Sequence, residues 1–448
     1  MLPTRLDARA LDTLLITMLS IALLTLVTHA HAQARTLTLS KALELAAKRA
    51  MTLTAAHFRE ASAEAALRNA GANYYPTLTV NLSGGGSAVR DAQPAPPPSN
   101  GLFSYSNYAA TGSGAVALRW TVFDFGRTSE SVTSAQAEHA LATADRSDVG
   151  LTVVNDVATA FLTLHHQQRL RDAAAATLAQ RERTSAIAHG LVLSGMQPPL
   201  EELRASARVD AASLQLSSAD AAVIDARIVL AALLLVPAQQ LQSIAPPRLS
   251  KAEAAVTTSK FVAESIPSVR VARAEHRAKL ADSRAAAARY LPTLSLNLDA
   301  EYRVARYDHT DLAFNTRSAT GTVIASLPLF DATIGAGLDQ ARADASNAFS
   351  LAEQTVRDAQ RESTRALAAL NATQRALVPA RRAAQGAAVV LEVVQARYTQ
   401  GLCTPIELIE AETSDTASRT ALIQTELAHD LALVRAAKAL GTPLAEDP

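Results

Sequence analysis

The side chains that could do chemistry in this sequence fall into a few groups. His165 and His166 could bind a metal, but neighbours on a helix point in different directions and make a poor shared site, which favours a solvated or seam role. Cys403, the single cysteine, could act as a nucleophile, yet no nearby histidine would activate it, and a small packing residue is the better reading. The glycines Gly84 to Gly86 lack the Gly-Lys-Ser/Thr sequence that completes a phosphate cradle. Glu201 and Glu202 could form an acid/base couple, but adjacent positions on a helical tip read as a solvated face. No catalytic constellation emerges, no metal site, and no cofactor is called for.

Composition points the same way. The 448 residues carry a formal net charge of zero, which argues against nucleic acid as a partner. Hydrophobic residues make up 49% but aromatics only 4%, so Ala and Leu supply the apolar content, as suits closely spaced helices. One cysteine excludes an intrachain disulfide. Residues 1–34 read as a signal peptide: Arg5 and Arg9, diluted by Asp7 and Asp12, precede an apolar stretch from Leu14 to Val27, and Ala32 and Ala34 supply small residues for cleavage. An uncleaved anchor helix is the competing reading, and the shortness of the apolar run argues against it. No cysteine follows that would take an acyl chain.

The elements around these residues are written twice. NYYPTLTVNL (73–82) returns as RYLPTLSLNL (289–298), VFDFG (122–126) as LFDAT (329–333), and SGMQPPLEELRA (194–205) as QGLCTPIELIEA (400–411). The order is kept, and the offset is 216 at Pro76/Pro292, 207 at Phe123/Phe330 and 206 at Gly195/Gly401. The loss of nine falls in the loop containing DAQPAPPPSN.

Each copy begins with a helical run, 40–73 or 269–290, ended by Pro76 or Pro292. Two strands follow, expected at about 76–90 and 108–124 in the first copy and 292–307 and 317–330 in the second. Leu78, Val80 and Leu82 alternate with Thr77, Thr79 and Asn81; Leu294, Leu296 and Leu298 alternate with Thr293, Ser295 and Asn297. This alternation fits a membrane barrel, oily outside and wet within, and equally a half-buried strand of a soluble sandwich. Four strands cannot close around a water channel, and their edges would be unsatisfied in lipid, so a barrel requires several chains to pool strands.

Long helices come next. Residues 128–194 contain no proline, and an unbroken helix of that length would extend roughly 100 Å. The second copy runs over 338–400 with an interruption expected at Pro379, and returning helices are expected over 200–236 and 405–440. Ala and Leu at three- and four-residue spacing suit coiled-coil hairpins. The predicted organisation is a first repeat over 35–235 with its tip near 195, a proline-rich linker or equatorial region over 236–261, a second repeat over 262–440 with its tip near 401, and a tail over 441–448.

This arrangement resembles the TolC family of outer-membrane factors over almost all of the mature chain. The most specific piece is RYTQGLCTPIELIEAETS (397–414), similar to the family's hairpin tip, and the helix followed by YLPTLSLN is also characteristic. The resemblance implies an α+β membrane protein: a homotrimer with a 12-stranded barrel in outer-membrane lipid and helices forming a periplasmic tunnel. It implies passive conduction in a tripartite efflux or type I secretion system, with a periplasmic adaptor and an inner-membrane pump of RND, ABC or MFS type as partners. A periplasmic coiled-coil adaptor is the alternative, although it would carry one hairpin rather than two.

The resemblance also assigns the tips. Tyr398 matches a tyrosine that helps hold the tip closed; Glu407 and Glu410 match two carboxylates lining the constriction, where three copies would attract cations and repel anions, with crowding raising some of their pKa values. Cys403, before Thr404, stands where the family carries a gate-holding arginine, so a charge latch is not expected to carry over unchanged. Gly195 with Met196 and Gly401 with Leu402 are the expected adaptor-docking turns, roles compatible with plain turn geometry.

Overall fold

A computed structural model describes residues 37–94, 102–241, 243–307 and 310–442. The expected signal peptide, the centre of the first strand-to-strand loop and the last six residues lie outside these. In chain order the elements are α1 (Leu39–Arg49), α2 (Met51–Ala72), β1 (Thr77–Pro94), β2 (Leu102–Phe123), α3 (Arg127–Leu193), α4 (Pro199–Leu234), α5 (Ser250–Thr258), α6 (Pro267–Ala287), β3 (Thr293–Tyr307), β4 (Thr310–Ser326), α7 (Ala332–Thr399) and α8 (Pro405–Leu440). The fold is mostly helical with a single four-stranded sheet among the described residues.

Two compact units form. One gathers the described residues up to Met51, Gly150–Phe261 and those from Glu362 onward; the other comprises Thr52–Val149 and Val262–Arg361. Helices α3 and α7 contribute residues to both.

The second unit holds the sheet, in the order β1-β2-β3-β4 and antiparallel throughout. Its register sorts side chains by chemistry. Leu78, Leu118, Leu298 and Gly321 share one row, and Thr77, Arg119, Asn297 and Thr322 the neighbouring row on the opposite face. The β2–β3 ladder joins the two repeats and carries a bulge between Thr121 and Phe123. Strands β1 and β4 are open edges.

Below the sheet, each repeat turns into its long helix through an aspartate. Asp124 accepts from the backbone N–H of Thr128 at 2.7 Å and of Gly126 at 3.1 Å; Asp331 accepts from the Thr333 N–H at 2.9 Å. Burial alone pushes the Asp124 carboxyl upward, but the hydrogen bonds from Thr128 and Gly126 outweigh it and hold the group below the usual carboxylate range. The shared aspartate of VFDFG and LFDAT is therefore a helix-starting residue in both copies. Trp120 Nε1 donates to the Tyr74 carbonyl at 3.0 Å, and Arg127 Nη2 to the Arg289 carbonyl at 2.8 Å, so the corner is fastened to both repeats.

The other unit is held by apolar packing. Leu39, Ala42 and Ala46 of α1 meet Val157, Phe161, Leu162 and Leu164 of α3, Leu230 and Leu234 of α4, and Val434 of α8. The linker region is ordered into this core: Leu37 bridges Ile244, and Ala252 and Val256 of α5 pack with Leu370 of α7 and Leu433, Ala437 and Leu440 of α8.

Three elements differ from expectation. The run over 40–73 is two helices, broken at Ala50 (ψ 115°), where no glycine or proline marks the change. Pro379 does not interrupt α7, which continues through it for 68 residues; the ring deletes one backbone bond, and the flanking turns hold the helix. The ladder reaches further than apolar alternation does: β2 starts at Leu102 and β4 at Thr310, because backbone pairing continues through small and polar residues, while β4 stops at Ser326, ahead of Pro328, which has no N–H to give.

Phe161 has no solvent-accessible surface. Phe161→Ala is expected to cost about 3–5 kcal/mol. Lys48→Ala, which removes only an exposed pair with Glu44, is expected to change stability by no more than about 0.5 kcal/mol. Thermal unfolding followed by helical circular dichroism compares the two.

Candidate functional site

Both hairpin turns are built the same way. At the end of α3 the Met196 N–H bonds the Leu191 carbonyl at 2.9 Å and the Gly195 N–H the Val192 carbonyl at 3.0 Å. At the end of α7 the Leu402 N–H bonds the Arg397 carbonyl at 2.9 Å and the Gly401 N–H the Tyr398 carbonyl at 3.0 Å. This paired pattern closes a helix with a left-handed residue, and Gly195 (φ 75°) and Gly401 (φ 71°) supply it. The apolar residue after such a glycine commonly packs back on the helix. Here Met196 and Leu402 stay 67% and 63% exposed.

Thr404 starts α8. Its hydroxyl accepts from the Glu407 N–H at 3.3 Å and donates to the Glu407 carboxylate at 2.9 Å, while Pro405 occupies the first helical turn. The Cys403 thiol also donates to Glu407, at 3.4 Å. These bonds, Thr404 first and Cys403 next, hold the Glu407 carboxyl below its usual range. Burial and then the adjacent Glu407 push the Cys403 thiol up, so it is a poor nucleophile at neutral pH. Within one chain the shift at Glu407 is thus opposite in sign to the one that crowding among copies would produce. Glu410 is exposed one turn further along the same helix.

Tyr398 is buried among Leu391, Leu408 and Ala411, with Ile187, Leu191, Val394 and Cys403 around them. Its hydroxyl lies 3.4 Å from the Gln197 side chain, which ties the second turn to the first. Cys403 therefore serves as part of an apolar plug beside a tyrosine anchor. A cavity of about 330 Å³ opens beside Tyr398, with Gln180, Arg183, Thr184 and Glu392 in its wall.

Sequence reasoning missed Gln197 and the polar seam between α3 and α8. Thr184 donates to the buried Glu412 at 2.8 Å, Arg169 pairs with Glu426, and His166 Nε2 meets Asp430 at 2.8 Å. His166 is thus a seam residue; burial, then His166 and Arg169, hold the neighbouring His165 below its usual range. The seam's partners are hundreds of positions apart, and only the antiparallel run of the two helices brings them together.

The profile of the outer membrane efflux protein family matches residues 42–234 and 262–442, taking in both strand pairs and both hairpins. The chain belongs to that family. Among solved structures, the outer-membrane channel OprN is similar at TM-score 0.73 and 22% identity, with 91% of this chain and 90% of that one covered. VceC from Vibrio cholerae is similar at TM-score 0.75 and 21% identity, with 91% and 97% covered. The Campylobacter jejuni CmeC channel is similar at 0.74 and 17%, with 90% and 85% covered. No curated protein matches. The family is that of outer membrane efflux proteins, not of adaptors, and for this chain the adaptor alternative falls. Its family and its neighbours are channels, not enzymes.

Thr404→Ala is expected to raise the Glu407 pKa and fray the start of α8, with about fivefold faster amide exchange at Glu407 and Leu408, the loss of a cap worth about 1 kcal/mol. Because the folded-state pKa of Glu407 is depressed, its stabilising contribution is present above the unfolded carboxylate value and is lost as pH falls through the folded one. The variant should therefore fray at higher pH than the parent. Hydrogen exchange across acidic pH measures both effects.

Proposed function

We propose that three copies of this efflux protein assemble into one duct, each giving four strands to a 12-stranded barrel and its hairpins to a periplasmic tunnel. The duct conducts passively, drawing on an inner-membrane pump of RND, ABC or MFS type through a periplasmic adaptor, in a tripartite efflux or type I secretion system. The observation that carries this reading is a sheet with one apolar and one polar face and two open edges, which one chain cannot close.

The tip supports a gate. Glu407 and Glu410, exposed on one stretch of α8, form a ring of carboxylates around a narrow neck in the threefold assembly. Tyr398 and Gln197, helped by the α3–α8 seam, hold the turns together in place of an arginine latch at Cys403. Met196 and Leu402, exposed beside Gly195 and Gly401, offer the apolar contacts that an adaptor tip would cover.

Purified protein in planar bilayers is expected to give discrete, cation-selective conductance steps. Glu407→Gln together with Glu410→Gln should shift the reversal potential in a salt gradient toward zero and weaken block by multivalent cations. An unchanged reversal potential would place these carboxylates away from the pore, and an absence of channels would remove the duct itself.

A further inference from the structure

The two faces of the sheet carry their charges differently. Between the rows Leu294↔Ala325 and Arg306↔Ala313, the polar face holds Arg119, Asp299, Glu301 and Arg303, acids and bases together. There Arg303 Nη2 donates to the Glu301 carboxylate at 2.9 Å. Over the same span the apolar face holds Arg306 and Arg317 and no carboxylate. Arg317 stands opposite Tyr302, its guanidinium carbon 5.6 Å from the centre of the ring. A guanidinium does not give up its proton, so both charges persist and call for an anion from outside the sheet.

In the assembly proposed above, on which this inference rests, the apolar face meets lipid and the periplasmic helices put the hairpin ends of the strands at the cell surface. Tyr302 is eight positions beyond Leu294 along β3, and Arg306 is twelve. At about 3.3 Å per residue and a tilt of about 40°, they stand roughly 20 Å and 30 Å above that row. An apolar band about 25 Å tall therefore ends between them, with Tyr302 at its outer margin and Trp120, in the row of Leu296, near its inner one. Arginine on a lipid-facing strand is costly at mid-bilayer and nearly free at the interface, which puts this pair at headgroup level. We infer that Arg317 and Arg306 form a phosphate site on the outer surface of the barrel, filled by a phosphorylated glycolipid of the outer leaflet.

Charge and spacing select this occupant. Arginine binds phosphate through paired N–H donors held in one plane. The two residues are four positions apart along the ladder and on adjacent strands, roughly 14 Å between backbones, so a headgroup with a phosphate at each end engages both at once. The row between them is shallow: a Cβ on Gly84 would meet nothing within 4 Å, and one on Gly112 only the Ser83 carbonyl at 4.0 Å. Sugar rings fit over that row, and acyl chains run down over Leu298 and Leu296. The first repeat lacks the pair. By the offsets of 216 and 207, Gly86 stands where the second repeat has Tyr302, and Ala110 where it has Arg317. Each chain therefore carries one such site, and a trimer three.

Native mass spectrometry of the whole protein in detergent, titrated with defined lipids, tests the site. Lipid A with two phosphates is expected to bind at up to three per trimer, about fivefold more tightly than lipid A with one phosphate, and phosphatidylcholine more weakly than either. Arg306→Gln with Arg317→Gln is expected to weaken the diphosphorylated lipid about tenfold, and Arg306→Lys with Arg317→Lys to keep most of the affinity. Arg303→Gln, on the polar face, is expected to leave it unchanged, and inorganic phosphate at equal concentration to displace none of it. Equal binding by the double glutamine variant, an equal loss in Arg303→Gln, or displacement by inorganic phosphate overturns the inference. Protein that conducts in planar bilayers yet shows no preference among these lipids overturns the site and leaves the duct standing. Protein that neither conducts nor assembles removes the duct and the site together.

Discussion

A backbone amide or carbonyl with no partner costs several kcal/mol in hydrocarbon, and in the assembly we propose this penalty governs the sheet. Within the chain β2 and β3 are paired on both sides, while β1 and β4 each leave one side bare. Among the described residues, no proline falls within the central pairs of either edge, one of the devices by which soluble proteins protect such edges. In the assembly we propose, the sheet is a segment of a larger closed surface, with its apolar and polar rows already in place within one chain.

The helical portion answers a different constraint. Its apolar side chains are mostly alanine, leucine and valine, so the helices approach closely, with the rings of Phe161 and, at the tips, Tyr398 buried among them. Such packing leaves room for polar contacts between helices, and the α3–α8 seam uses it: Glu412, Glu426 and Asp430 on one helix meet Thr184, Arg169 and His166 on the other. Buried polar pairs contribute more to which helix faces meet than to net stability. At the turns the same economy recurs, with the buried Tyr398 ring and a single long hydrogen bond to Gln197 joining the two tips.

The sequence made the fold legible where it repeated itself. NYYPTLTVNL and RYLPTLSLNL announce two equivalent strands, and Gly195 and Gly401 mark two equivalent turns, because local chemistry determines both. The breaks were harder. Ala50 interrupts a helix with no breaker residue, and Pro379 fails to interrupt one, since packing over many turns outweighs a single propensity. At the tip, Thr404 and Glu407 are three residues apart and could be read as a cap, whereas Gln197 and Tyr398 meet only through the fold. Crowding among copies is expected to raise some of the Glu407 and Glu410 pKa values, while within one chain the capping bonds hold Glu407 low.

The central claim is that the sheet is completed by other copies of the same chain. Native mass spectrometry of the protein released from detergent micelles measures this most directly. The account predicts a particle of three times the mass of the mature chain, surviving collisional removal of detergent. A particle of one chain mass, folded and free of partners, would contradict it.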